Sequence, residues 1–168
     1  FAQLNVTVGA IQKNTTKIKN AIRQAKSHGA QLLIFSELVI CGYPPLDLLD
    51  IPGFIASCEK ALEEIIKETE NIAIVLGTIR RNTTGKGKAL FNSAAIIENN
   101  HLIGFQDKRL IPSYDVFYER RYFEPGHQSK IWNICSHNFW VTVCEDLWNP
   151  SCAHELFYIA PNTKKIPI

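Results

Sequence analysis

A thiol, a carboxylate and an amine in this chain each follow a short apolar run. Cys144 closes Val141-Thr142-Val143 and leads into Glu145-Asp146-Leu147-Trp148. Glu37 follows the run that ends Phe35-Ser36, and Lys108 follows His101 to Asp107. All three read as sitting where a strand gives way to a loop, a position that commonly carries function. If they converge, they can do chemistry that none does alone. A free thiol has a pKa of about 8.5, so little of it is thiolate at neutral pH. A carboxylate such as Glu37 can take its proton as general base. That carboxylate also raises the thiol pKa by repulsion, and an ammonium such as Lys108 offsets this. The same ammonium can stabilise a tetrahedral oxyanion, a role often worth about 3 kcal/mol. The set suits acyl transfer from an amide through a thioester, with the proton passed on to ammonia. Each residue also has a plainer reading: a packed thiol, a carboxylate bonded to backbone, a solvated lysine. Glu145-Asp146 reads equally well as a solvated loop pair. Composition and spacing leave these alternatives open.

The elements that would position these groups follow from periodicity. Phe1 to Val8 alternates weakly and reads as a strand. Asn14 and Thr15 are candidate caps for a helix to about Ser27, whose Ile18, Ala21, Ile22 and Ala25 follow the i, i+3, i+4, i+7 pattern. Gln31 to Ser36 is an apolar strand, and the proline-rich stretch Gly42 to Pro52 an irregular loop. A second helix spans about Phe54 to Glu68, with Ile55, Cys58, Leu62, Ile65 and Ile66 inward. Strands follow at Asn71 to Arg80, Ala89 to Glu98 and His101 to Gln106. They are joined by a turn at Thr83 to Lys88 and a tight one at Asn99-Asn100. Lys108 to Gly126 is a long connection rich in Tyr, Phe and Arg, of a length that is usually functional or disordered. Strands are expected again near Ser129 to Ile134 and Phe139 to Val143, and the tail Pro161 to Ile168 fits no element. Helices alternating with strands, then hairpins, make an α/β domain with a mixed sheet.

At 168 residues the chain fits one domain with a real core, and 46% hydrophobic with 20% charged residues is ordinary for a soluble globular protein. A formal charge of +2 argues for neither nucleic acid nor a membrane surface, and no apolar stretch has the length of a membrane span. Five cysteines cannot all pair, which favours a reducing, cytoplasmic compartment. The chain contains no methionine and opens inside an apparent strand, which reads as part of a longer polypeptide. Cys135-x-His137 and Cys152-x-His154 offer metal-ligand types, but one-residue spacing is not that of structural zinc, and no metal site is expected. There is no G-x-S-x-G elbow, phosphate-cradling loop or dinucleotide fingerprint.

Three motifs carry a resemblance. They are Phe35-Ser36-Glu37-Leu38 continuing into Cys41-Gly42-Tyr43-Pro44-Pro45-Leu46-Asp47-Leu48-Leu49, then Lys108 through Leu110-Ile111-Pro112-Ser113-Tyr114 to Arg121-Tyr122-Phe123-Glu124-Pro125-Gly126, and Val143-Cys144-Glu145-Asp146-Leu147-Trp148. At these residues the chain resembles the nitrilase (carbon–nitrogen hydrolase) superfamily, and more narrowly the glutaminase domain of glutamine-dependent NAD synthetases, over Phe1 to about Pro150. The resemblance implies Glu37 as general base, Lys108 as oxyanion stabiliser and Cys144 as nucleophile. It places Tyr114, Glu119 and Trp148 in the glutamine pocket or beside the triad. It implies a four-layer α-β-β-α sandwich with a mixed sheet, assembled into a homo-oligomer through outer faces. It also implies L-glutamine as substrate and a synthetase domain of the same polypeptide as recipient of the ammonia. No cofactor is implied for the glutaminase step, whereas ATP and magnesium would serve the synthetase domain. That domain's SGG-x-DS type loop is not in this sequence. A further strand and pocket-closing loop expected after the nucleophile are not recognisable between Ser151 and Ile168. Ser36 stands where the family usually has proline, with little expected effect. The rival within the superfamily is a free-standing amidase acting on another small amide. The rival without chemistry is an inactive scaffold, against which the intact Glu37, Lys108 and Cys144 set weighs.

Overall fold

In the computed structural model, which describes residues 1–150, strand β2 (Ala73–Arg81) is the spine of a mixed sheet. It pairs in parallel with β1 (Leu32–Ile34) and antiparallel with β3 (Leu90–Glu98), which pairs antiparallel with β4 (His101–Asp107). The strand order is β1-β2-β3-β4. β2 and β3 are buried on both faces, so they read as nearly unbroken apolar runs. Their pleat splits the core in two. Ile74, Leu76, Ala95 and Ile97 pack under helices α1 (Ile11–Ser27) and α2 (Phe54–Ile66), with Ile18, Ile22, Ile55, Cys58, Ala61 and Ile65 inward. Ala73, Val75, Ala94 and Ile96 face the opposite way, onto Trp132 and Ile134 of a two-stranded antiparallel ribbon, β5 (Ile131–Ile134) and β6 (His137–Trp140). Helices, sheet and ribbon form three layers. Among the described residues no helix is long and apolar enough to cross a membrane.

Several expectations need correction. Asn14 and Thr15 do not cap α1. They are buried inside it, and the helix begins at Ile11. The Asn14 amide instead donates to the carbonyls of Thr7 and Ile40, and its Oδ1 accepts the Thr7 amide, so it sews the entering chain to the segment after Glu37. Phe1 to Val8 alternates in burial, but only the Ala2–Phe35 bridge pairs, because β1 is too short to extend the ladder. The loop Gly42 to Pro52 contains a 3-10 turn over Leu46–Asp50. The connection Lys108 to Gly126 is likewise ordered, by a 3-10 turn at Glu119–Arg121 and a bridge between Phe123 and Leu90.

The last expected strand is displaced. A tight turn at Cys135-Ser136, both with positive φ, closes the ribbon so that Ile134 pairs with His137 and Ile131 with Trp140. The partner strand is then exhausted. Val141 to Val143 leaves the sheet, and Cys144 opens a 3-10 turn over Cys144–Leu147. The tail Pro161 to Ile168 and the expected further strand beyond Ser151 lie outside the described residues.

Candidate active site

Glu37 lies three residues beyond β1, where the backbone turns sharply and Leu38 takes a φ of 47°. The turn runs over Gly77 of β2, and a Cβ there would sit 2.4 Å from both the Leu38 nitrogen and the Ser36 oxygen. Both contacts are backbone, so neither can swing aside. Gly77→Ala is therefore expected to lose about 1–3 kcal/mol by overpacking, read as a lowered denaturation midpoint. It should also push Glu37 off its partners, so the catalytic rate falls further than the fraction folded.

Lys108 is 0% exposed at the end of β4, a place a lysine occupies only with partners. Its Nζ lies 2.8 Å from Glu37 Oε1 and 2.7 Å from Glu119 Oε1. Burial alone pulls its pKa down, but the charge of Glu37 and the hydrogen bonds to Glu119 and Glu37 outweigh this, and the net shift is upward. The lysine stays an ammonium. Two of its three hydrogens are spent on carboxylates, and the third remains for a developing oxyanion.

Glu119, buried at 5% exposure in the long connection, also accepts from Tyr43 Oη at 2.9 Å and from Asn92 Nδ2 at 3.2 Å. Burial, and then the charge of Glu119, raise the Tyr43 phenol, so it remains a donor. Asn92 Nδ2 also donates to Glu37 Oε1, at 2.7 Å. Both Asn92 and Lys108 therefore meet Glu37 on Oε1. Neither nitrogen bonds Oε2.

The thiol is that of Cys144. The residue is exposed over much of its surface, yet its pKa is pushed up to about 11, first by partial desolvation of the sulfur, then by the charge of Glu37, with Lys108 opposing and a hydrogen bond to Glu37 adding to the rise. At neutral pH it is a thiol beside a carboxylate, which suits proton removal during attack rather than a standing thiolate. Its backbone φ is 48°. Asp146, two residues on, holds the turn in place. Asp146 Oδ1 accepts the amides of Arg109 at 3.0 Å and Leu110 at 2.8 Å, and Oδ2 that of Val143 at 3.2 Å. One carboxylate thus ties the thiol-bearing segment to the residues next to Lys108.

Of the six expected site residues, the structure brings Glu37, Lys108, Glu119 and Cys144 together. Tyr114 is half exposed and donates from its hydroxyl to Glu145 Oε2 at 2.8 Å. It lines a cavity of about 380 Å³ with Arg109, Ile111, Ser113, Arg120 and Glu145, whose walls carry both charge signs. Glu37, Lys108 and Cys144 do not line this cavity, but the neighbours of two of them do. Trp148 is 76% exposed and does not line this cavity. The reading of Glu145-Asp146 as a solvated pair fails for Asp146, which is buried. The metal alternative gains nothing. Cys135 Sγ donates to the Gln31 carbonyl and His137 Nδ1 meets the Cys135 carbonyl, while Cys152 and His154 lie outside the described residues. No cluster able to hold a metal is found among the described residues.

Asn92 and Tyr43 were not singled out from the sequence. The signal for Asn92 was a polar pair, Asn92-Ser93, inside the otherwise apolar run Leu90 to Ile97. Tyr43 lay in plain view in the motif after Glu37, where its proline neighbours drew the reading toward a loop.

Comparison with known proteins bears on this arrangement. The carbon-nitrogen hydrolase family model matches residues 1–157. The glutamine-dependent NAD(+) synthetase of Synechocystis sp. is 43% identical over 153 residues, covering 89% of this chain and 27% of that protein. The structure of glutamine-dependent NAD+ synthetase from Acinetobacter baumannii, in complex with adenosine diphosphate, superposes with a TM-score of 0.82 at 33% identity, covering 94% of this chain and 29% of that one. The chain thus spans less than a third of the length of the synthetases it matches. A nitrilase-superfamily amidase from Nesterenkonia, at 21% identity, shares the fold with a TM-score of 0.75 over 89% of this chain and 56% of its own.

Proposed function

Since this chain belongs to the carbon–nitrogen hydrolase family, we propose that it is the glutamine amidohydrolase part of an NAD synthetase, releasing ammonia through a thioester on Cys144. The observation that carries this reading is the contact of one buried ammonium, Lys108, with Glu37, while Glu37 bears on the Cys144 thiol. Its support for glutamine over other amides is the run of synthetase relatives and a neighbouring cavity with walls of both signs, suited to a zwitterion.

The steps follow from the geometry. Glu37 Oε2 takes the thiol proton as sulfur attacks the side-chain amide carbon of glutamine. The carbonyl oxygen gains the charge, and the remaining hydrogen of Lys108 stabilises it. The intermediate collapses to a thioester, and the amide nitrogen leaves as ammonia with the proton held by Glu37. Glu37 then draws a proton from water, which attacks the thioester. Glutamate departs and the thiol takes back its proton. The side chains of Glu37, Lys108 and Cys144 serve throughout. The ammonia would pass to a synthetase domain of the same polypeptide, where ATP and magnesium would serve the amidation of deamido-NAD. The finer architecture follows the same reading: a fourth layer of helices would complete the α-β-β-α sandwich outside the ribbon.

In the full polypeptide, ammonia and glutamate release from L-glutamine is expected to vanish in Cys144→Ala, by at least about three orders of magnitude. Equal release by both proteins, with or without ATP and deamido-NAD, sinks the reading. Cysteine-dependent release from small aliphatic amides in preference to glutamine would point to the free-standing amidase instead.

A further inference from the structure

We propose that Asn92 is a positioning residue of the reaction: its single side-chain amide nitrogen holds the carboxylates of Glu37 and Glu119 on either side of Lys108 and keeps Glu37 in place beside Cys144. This rests on the reading of Glu37 as the base and Cys144 as the nucleophile.

Asn92 is 0% exposed, in the middle of β3. Both hydrogens of its Nδ2 are engaged, one with Glu37 Oε1 at 2.7 Å and one with Glu119 Oε2 at 3.2 Å. Its Oδ1 is buried with no hydrogen-bond partner among the described residues. A buried amide chosen for stability alone would satisfy its oxygen. This one cannot turn over, because the flipped amide would aim Oδ1 at two carboxylates. The orientation is thus set by the two glutamates, and the orphaned oxygen is its cost. The backbone of the same residue adds a second hold, since the Asn92 carbonyl accepts the Lys108 amide at 2.8 Å. One residue fixes where the lysine starts and where both carboxylates end.

The titratable groups around the pair are Lys108 from β4, Tyr43 from the loop after Glu37, and Cys144 from its 3-10 turn. Lys108 and Tyr43 remain in place when Asn92 is changed, so they keep Glu119 bonded. Glu37 loses one of its two nitrogen donors. It then hangs on Lys108 alone and can rotate about that contact, so the share of encounters in which it meets the thiol falls. An aspartate in its place keeps the shape but swaps the donor for a third carboxylate, and drives Glu37 further from its place.

The test compares wild type, Asn92→Ala, Asn92→Asp and Cys144→Ser in the full polypeptide. It follows kcat and KM for ammonia release from L-glutamine, and the rate of iodoacetamide alkylation of Cys144 at neutral pH, read by peptide mass spectrometry. The expected result is a kcat lower by about tenfold to a hundredfold in Asn92→Ala, and lower still in Asn92→Asp, with KM changed less. Alkylation of Cys144 should be faster in Asn92→Ala than in wild type, because the displaced charge of Glu37 no longer opposes the thiolate, and Cys144→Ser gives the background of both assays. Melting temperatures separate this from simple destabilisation, and the alanine variant carries the test if the aspartate variant does not fold. A kcat in both variants equal to that of wild type, whatever the melting temperatures, overturns the proposal and leaves Asn92 as a strand residue. If glutamine is not hydrolysed but alkylation still quickens in Asn92→Ala, the substrate reading fails and the positioning role stands. Cysteine-dependent ammonia release with kcat unmoved gives the reverse.

Discussion

A Lys108→Met chain is expected to lose about 3–5 kcal/mol of stability, the range for breaking a buried ion pair from one side, and all measurable turnover. The methionine fills the space, so packing is largely kept and the loss is electrostatic. Glu37 and Glu119 would then face each other across a dry site with Asn92 as their shared donor and Tyr43 on Glu119 alone. Denaturant unfolding at neutral pH measures the loss. The pH dependence has a definite sign. The Lys108 pKa is raised in the folded protein. Its stabilising contribution is therefore fully present below the unfolded value of about 10.4 and is lost only as pH rises through the raised folded value. The gap between wild type and Lys108→Met should stay constant through neutral pH and narrow only in strong alkali. A gap that closes between neutral pH and the ordinary lysine range would show that the lysine is not held as an ammonium. A Lys108→Arg chain is not a conservative control, because the guanidinium is too wide for a cavity shaped to one nitrogen between two carboxylates.

The second large effect comes from Glu37→Gln, which should lower turnover by about two to four orders of magnitude while making the thiol more acidic. The two outcomes pull in opposite directions and so are diagnostic. Cys144 stands near pKa 11 because of partial desolvation first and the Glu37 charge second. Removing that charge leaves the desolvation and frees the opposing pull of Lys108, so the thiol should ionise at lower pH, toward its ordinary value of about 8.5. Ultraviolet titration of the thiolate reads this directly. More thiolate with less ammonia release means that proton removal during attack, not a standing anion, limits the reaction. If turnover survives in Glu37→Gln, the base lies elsewhere. An unmoved thiol titration would mean that Glu37 does not bear on Cys144.

The parts of the site legible in the sequence were those whose chemistry is stamped on residue type and local spacing. Glu37, Lys108 and Cys144 each sit in a short distinctive motif, and Glu119 is carried within one. The sheet was legible too, because β2 and β3 are apolar on both faces and the turn at Asn99-Asn100, with φ of 49° and 64°, is one that asparagine tolerates. What stayed hidden depends on contacts between distant segments. Asn92 looks like a weak strand residue until Glu37, 55 positions away, is brought to it. Asp146 looks solvated until the amides of Arg109 and Leu110 arrive. Asn14 imitates a helix cap, since a cap and a side chain that binds a neighbouring loop both use a short amide. The end of β6 was missed because Val141 to Val143 has strand composition but no partner left to pair with.

The backbone bend at Cys144, the proposed nucleophile, also bears on how such a chain would drift. At φ 48° Cys144 occupies a conformation that costs a side-chain-bearing residue about 1–3 kcal/mol. Glycine would adopt it at no steric cost. A Cys144→Gly descendant would therefore be a sturdier protein with no reaction to perform. Screens that reward expression or heat resistance alone would enrich it. Mutational drift in a lineage that obtained ammonia elsewhere would lean the same way. In such a lineage a glycine at this position, beneath an otherwise intact Glu37 and Lys108, would mark where the chemistry was given up while the fold was kept.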